Sequence, residues 1–185
     1  MAAGGSSSNV VVGPGRIYFA PLGTAEPASC SAALPSAWLS VGYTEDGSQV
    51  EIGQTSAEVE VAEELDPVRY VNVKRTTKVT FAMAEMTVRN LALAMAAGAG
   101  RANSTASFEP PDSGTDTAVM LVWDSMDTPD ATNERWLFRQ AKATGNISIA
   151  RKKSPAKSTI PVEFNCERPS AAKSWLVFPN SSFLV

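Results

Sequence analysis

The chain has 185 residues, 44% of them hydrophobic and 19% charged, with a net charge of −3. That suits one domain with a real core and is too apolar for a disordered chain. The charge gives no general attraction to nucleic acid or to an anionic membrane, and a chain without histidine excludes a Ser-His-Asp triad, a Cys-His pair and His-based zinc sites.

Residues 1–14 are small and polar, with one short apolar patch at Val10, Val11 and Val12. They read as a flexible arm preceding a single β domain, residues 15–185. The arm lacks a basic n-region and a long apolar stretch, so it is not a secretory signal. No apolar run approaches membrane-spanning length, so no membrane partner is expected. "GRIYFAP" (15–21) has the aromatic and β-branched content of a strand, stopped by Pro21. The loop at 22–36 is Pro-rich and longer than most connections, a length common in interacting loops. "AWLSVGY" (37–43) reads as a strand and "TEDG" (44–47) as a turn.

Two strands with one wet face follow. Val50 and Ile52 alternate with Glu51, and Val59 and Val61 alternate with Glu58 and Glu60. A long strand over 71–83 carries Val71, Val73, Val79, Phe81 and Met83 on one parity, with room for a bulge at 75–77. In "MTVRNLALAMAAG" (86–98), Val88, Leu91, Ala92 and Met95 have helical spacing, with Thr87 as N-cap and Gly98 as stop. After a long loop at 99–116 comes a strand at 117–124 and a loop at 125–134. A hairpin is expected over 135–153, turning at Gly145-Asn146. A strand over 158–167 follows, with Pro161 marking a strand start or an edge, and 173–178 adds a short last strand. The expected class is mainly β, an antiparallel sandwich or barrel with one flanking helix.

No enzyme constellation emerges, and no cofactor or metal site is expected. Glu58 and Glu60 lack the neighbouring aromatics of a sugar cleft, and "GPG" leads into a strand rather than a helix. Cys30 and Cys166 are far apart, and buried free thiols in a reducing cytoplasm suit them. The four Trp residues fall on separate segments, where core packing is the ordinary use. Charge is the more informative feature. Between Gly42 and Asp66 stand eight acids and no Lys or Arg. Arg69, Lys74, Arg75 and Lys78 follow, and Arg151, Lys152, Lys153 and Lys157 form a second basic cluster. Opposite patches on one chain suit head-to-tail self-association.

The order of a polar arm, "GRIYFAPLGTAEP", a Pro-rich loop, "WLSVGYTEDGSQVEI", an acid-rich hairpin and "VNVKRTTKVTFAMAEMTVRNLALAMAAG" resembles the major tail (tail tube) protein of long-tailed, non-contractile phages of actinobacteria. The span from Trp38 to Gly98 carries most of the resemblance. It implies two packed antiparallel sheets with a flanking helix, and six copies joined into a ring around one continuous β-barrel. Stacked rings would enclose a tape measure protein, end at tail terminator and tail-tip proteins, and later pass DNA non-specifically to the host. The location implied is the virion tail, with the host cytoplasm during assembly. On that reading Glu51, Glu58 and Glu60 would line the lumen and repel phosphate, the alternative being an outer wall where they keep the tube soluble. Val10, Val11, Val12, Arg75, Arg151, Lys152 and Lys153 would make contacts between rings or subunits. The rival readings are a tail terminator or head–tail joining protein, which form rings that cap, and a monomeric β-barrel that binds a ligand.

Overall fold

The computed structural model describes residues 15–63, 66–97, 109–110, 116–128, 131–149, 151–154 and 156–179; the side chains of residues 46, 126–128 and 131–133 are not described. The arm at 1–14, with Val10 to Val12, and the expected helix stop at Gly98 lie outside these residues.

The described residues form eight strands and one helix: β1 (Gly15–Pro21), β2 (Leu39–Ser40), β3 (Thr44–Val59), β4 (Arg69–Met83), α1 (Val88–Ala94), β5 (Val119–Thr128), β6 (Ala131–Ala143), β7 (Ile160–Cys166) and β8 (Trp175–Pro179). The fold is mainly antiparallel β with a single short helix. The strands form one connected sheet in the order β2-β1-β5-β6-β7-β4-β3, rather than two separate sheets, and β8 also pairs with β6. β6 is where the layers diverge. Glu134 to Phe138 pair with β8, while Ala141 to Ala143 pair with β7.

Alternation explains the core. Val79, Phe81 and Met83 of β4, and Ile160, Val162 and Phe164 of β7, point to one side, where they meet Ile17, Phe19, Leu121, Phe138 and the helix. A second apolar cluster lies on the other face of β1, β5 and β6: Ala20, Trp38, Met120, Val122 and Leu137. The 22–36 loop covers it. Arg135 is buried and grips Asp124 through two hydrogen bonds of 2.6 and 2.8 Å. Its Nη1 also donates to the carbonyls of Ser29 and Ala32 at 3.0 and 2.7 Å. Arg139 clamps Glu26 at 2.6 and 3.0 Å, and Trp38 Nε1 donates to the Ala25 carbonyl. The Pro-rich loop is therefore a fixed lid over half the sheet. Three of the tryptophans meet despite their sequence distance, Trp136 lying 6.1 Å from Trp123 and 5.4 Å from Trp175, centroid to centroid.

Several expectations need correction. "TEDG" is no turn between strands: Thr44 to Val59 is one strand, bent by an irregularity between Glu45 and Ser48 that places Gly47 at φ +80°. The two strands expected around Val50–Ile52 and Val59–Val61 are thus one, which ends at Val59. The strand expected at 37–43 shrinks to Leu39–Ser40, and the loop expected at 125–134 is largely the tight β5–β6 hairpin, with Thr128 opposite Ala131. No hairpin turns at Gly145-Asn146, and residues 147–149 are not strand; β6 takes β5, β7 and β8 as partners instead. Pro161 is the second residue of β7, consistent with a strand start, although β7 is central. The Thr87 cap holds, its hydroxyl accepting from the Asn90 amide at 3.1 Å. The helix is shorter than expected and its buried side is Asn90, Ala92, Leu93 and Ala94, leaving Met95 exposed. Asn90 is buried because its Nδ2 donates to the carbonyls of Val41 and Glu85, both at 2.9 Å. Both cysteines are free, Cys30 buried and Cys166 half-buried.

Candidate functional site

β3 and β4 form a hairpin much longer than the sheet it belongs to. β7 pairs with β4 only from Lys78 to Met83, so residues 69–77 of β4 and the facing part of β3 run on as a two-stranded arm. Arg69 to Thr76 are all exposed. The arm is closed by the Val68 amide donating to the Val59 carbonyl at 3.0 Å. Seven of the eleven large apolar side chains left exposed among the described residues sit here: Ile52, Val59, Val61, Val68, Tyr70, Val71 and Val73. Tyr70 is 63% exposed and Val73 61%. A two-stranded ribbon wet on both faces is marginal by itself, and apolar residues in such number mark an interaction surface.

Register decides which acids share a face. Thr55 pairs with Lys74 and Ser56 with Asn72, so the bulge falls at Val73, two residues before the 75–77 interruption expected from sequence. On β3, Ile52, Gln54, Ser56 and Glu58 alternate with Glu51, Gly53, Thr55, Ala57 and Val59. Glu51 and Glu58 therefore face opposite ways. Glu60 lies just past the strand end at Val59. The three acids expected to line one surface do not form one row. The reasoning from an apolar face also fails there, because Val59 and Val61 are themselves exposed.

Glu51 lies opposite Lys78, on the face directed away from the core. This wet face has counterions that the local sequence hides. Lys78 Nζ is 3.1 Å from Glu163, and Lys142 Nζ is 3.1 Å from Asp116. Both lysines are committed to other acids, and Glu51 has no salt bridge among the described residues. Glu45, from the same acidic stretch, binds Lys157 at 2.6 Å.

The basic residues separate into two places. Arg75 lines a cleft of about 350 Å³ with Asn72, Lys74, Thr77, Arg168 and Lys173, where β7 and β8 diverge beside β4. Cys166 also lines it, and burial pushes its thiol up to about 12. Arg151 lines a smaller hollow beside α1 with Leu91, Ile149 and Ile160. Ile160 is paired with Met83, eight residues along β4 from Arg75 and so about 26 Å away at ordinary strand rise. Lys152 and Lys153 are exposed next to Arg151. Sequence singled out Arg75 but missed Arg168 and Lys173, because only the β7–β8 connection brings them to β4.

The hairpin thus projects from a lidded sheet with an open edge and exposed apolar side chains. The model of the phage tail tube protein family matches residues 2–176. The chain belongs to the phage tail tube protein family. It is a structural protein of the virion tail. Among solved structures, a chain of the anti-feeding prophage baseplate, solved by cryo-electron microscopy with six-fold symmetrisation, aligns with this tail tube protein over 94% of its length and 98% of that chain, at 8% identity and a TM-score of 0.51. That likeness concerns the fold alone. A crystal structure of Hcp protein aligns over 91% and 100% of the two chains, at 10% identity and a TM-score of 0.36. No curated protein matches the sequence.

Proposed function

We propose that this tail tube protein polymerises as stacked hexameric rings into a hollow tube through which DNA reaches the host. The β3–β4 hairpin carries the proposal. Among the described residues β3 pairs only with β4, and β4 has no second partner over residues 69–77. Each copy thus offers one open edge on either side of the same ribbon. Head-to-tail pairing of such edges closes into a ring when the rotation divides a full turn. Closure removes edges that otherwise invite uncontrolled association. The six-fold symmetry of the baseplate relative supports six copies.

The wet face opposite the core becomes the lumen wall. With Lys78 and Lys142 each paired to an acid, Glu51 is left as an acid without a salt bridge on this face among the described residues, repeated by every copy in the ring. A negative wall repels phosphate and keeps a polymer sliding, whereas a basic one would hold DNA with salt-dependent affinity. Glu58 and Glu60, which do not share a row with Glu51, are not part of this proposed wall. Tubes of Glu51→Lys should assemble and release DNA more slowly in an ejection assay; a normal rate would exclude Glu51 from the wall.

Residues 1–14 are proposed as the arm that links stacked rings through Val10, Val11 and Val12, and residues 15–185 as the tube domain. A chain lacking residues 1–12 should fold and stack poorly, and normal tubes would contradict the arm's role. Tape measure, tail terminator and tail-tip proteins are the partners that a tube of this design requires, and assembly would take place in the host cytoplasm. Electron microscopy of the purified protein over a concentration series tests the reading. Hollow tubes are expected. Single closed rings would favour a terminator or joining protein, and monomers that stay single even beside a tail-tip complex would contradict the tube.

A further inference from the structure

The cleft at the root of the hairpin has a chemistry that the ring alone does not use. Lys74, Arg75, Arg168 and Lys173 all line it, Lys74 and Arg75 from opposite faces of β4, and none of its nine lining residues is acidic. None of these four cations makes a salt bridge among the described residues. Like charges gathered without a counterion repel one another, and an acidic partner relieves that repulsion.

The chain has one segment of matching character. The hairpin tip between Val59 and Val68 carries Glu60, Glu63 and Asp66, with Glu58 just before it, and all four are exposed and without a salt bridge among the described residues. Its own cleft is out of reach. Tyr70 faces Glu58, and Arg75 lies five residues further along β4, about 17 Å at strand rise. Acid at one end of an extended ribbon and base at its root form a complementary pair between copies.

We infer that the acidic hairpin tip of one copy docks into the Lys74–Arg75–Arg168–Lys173 cleft of a second copy. The inference rests on the polymer proposed above and adds a specific contact to it. A cleft of about 350 Å³ accommodates one or two carboxylate side chains rather than a strand, so the contact is a charge lock that sets register between copies. Edge pairing and apolar burial remain the adhesive. Guanidinium groups at the cleft favour forked pairing with carboxylates, which fixes orientation as well as attraction.

A charge-swap experiment tests this. The cleft variant is Arg168→Glu with Lys173→Glu, and the tip variant is Glu60→Lys with Glu63→Lys. All four positions are exposed or half-buried, so circular dichroism melts should match wild type. Assembly is read by sedimentation and electron microscopy at 0.15 M salt. Each variant alone should raise the concentration needed for tubes about tenfold or more, and the combined variant should recover to near wild type. Single variants that assemble like wild type, or a combined variant no better than either, would overturn the docking and leave the tube intact. A wild-type chain that never forms tubes would overturn the tube and the docking together. If the cleft instead served phosphate, the cleft variant would assemble normally, which counts against the inference.

Discussion

The body and the outer hairpin are built from the same antiparallel pairing, yet they meet water in opposite ways. β1, β5 and β6 are covered on both faces, by the main core on one side and by the 22–36 loop on the other. The outer hairpin is covered on neither. Phe138 is fully buried while Tyr70, also on a long strand, is 63% exposed. The difference separates folding from assembly. The body buries its apolar surface within one chain, whereas the hairpin leaves apolar surface exposed that a neighbour would cover in the proposed assembly.

Mutation should therefore split the two regions. Phe138→Ala should cost about 3–5 kcal/mol of folding stability, read as a shifted urea midpoint; a change under about 1 kcal/mol would mean that the body is not the source of stability. Tyr70→Ala combined with Val73→Ser should alter monomer stability by no more than about 0.5 kcal/mol and should abolish tubes. Tubes of normal length from that variant would erase the contrast between the regions. The smallest effect concerns Cys166. Its raised pKa keeps the thiol protonated at neutral pH, so thiolate is scarce below about pH 12. Iodoacetamide at pH 8 should label Cys166 more slowly than a free thiol, and faster as pH rises. Labelling at the free-thiol rate would mean the cleft wall is more open than described.

Much of the body was legible in the sequence because its strands alternate against a real core. "GRIYFAP" and the Val162–Phe164 parity each name a buried face, and Thr87 signals its cap through one local hydrogen bond. The hairpin was misread for the same reason. Alternation of Val59 and Val61 with Glu58 and Glu60 resembles a half-buried strand, but alternation records only which residues share a face, not whether anything covers it. The bulge at Val73 and the bend after Glu45 depend on cross-strand register, which no local window contains. That Lys78 stands across from Glu51 yet pairs with Glu163 could not be read from sequence, because these residues are adjacent only in the sheet. Asn90 carries no local signal of burial, yet it is buried to hold the carbonyls of Val41 and Glu85. The cationic cleft is the extreme case, since Arg75 and Arg168 are joined only by the course of β4 and β7.

Hydrogen–deuterium exchange on free protein and on assembled tubes tests most directly whether neighbours complete the hairpin. Amides of residues 51–59 and 69–76 should exchange quickly in the free chain and become protected in tubes, while those of β1 and β5 stay equally protected in both. Tubes in which the hairpin amides exchange as fast as in the free chain would contradict the account.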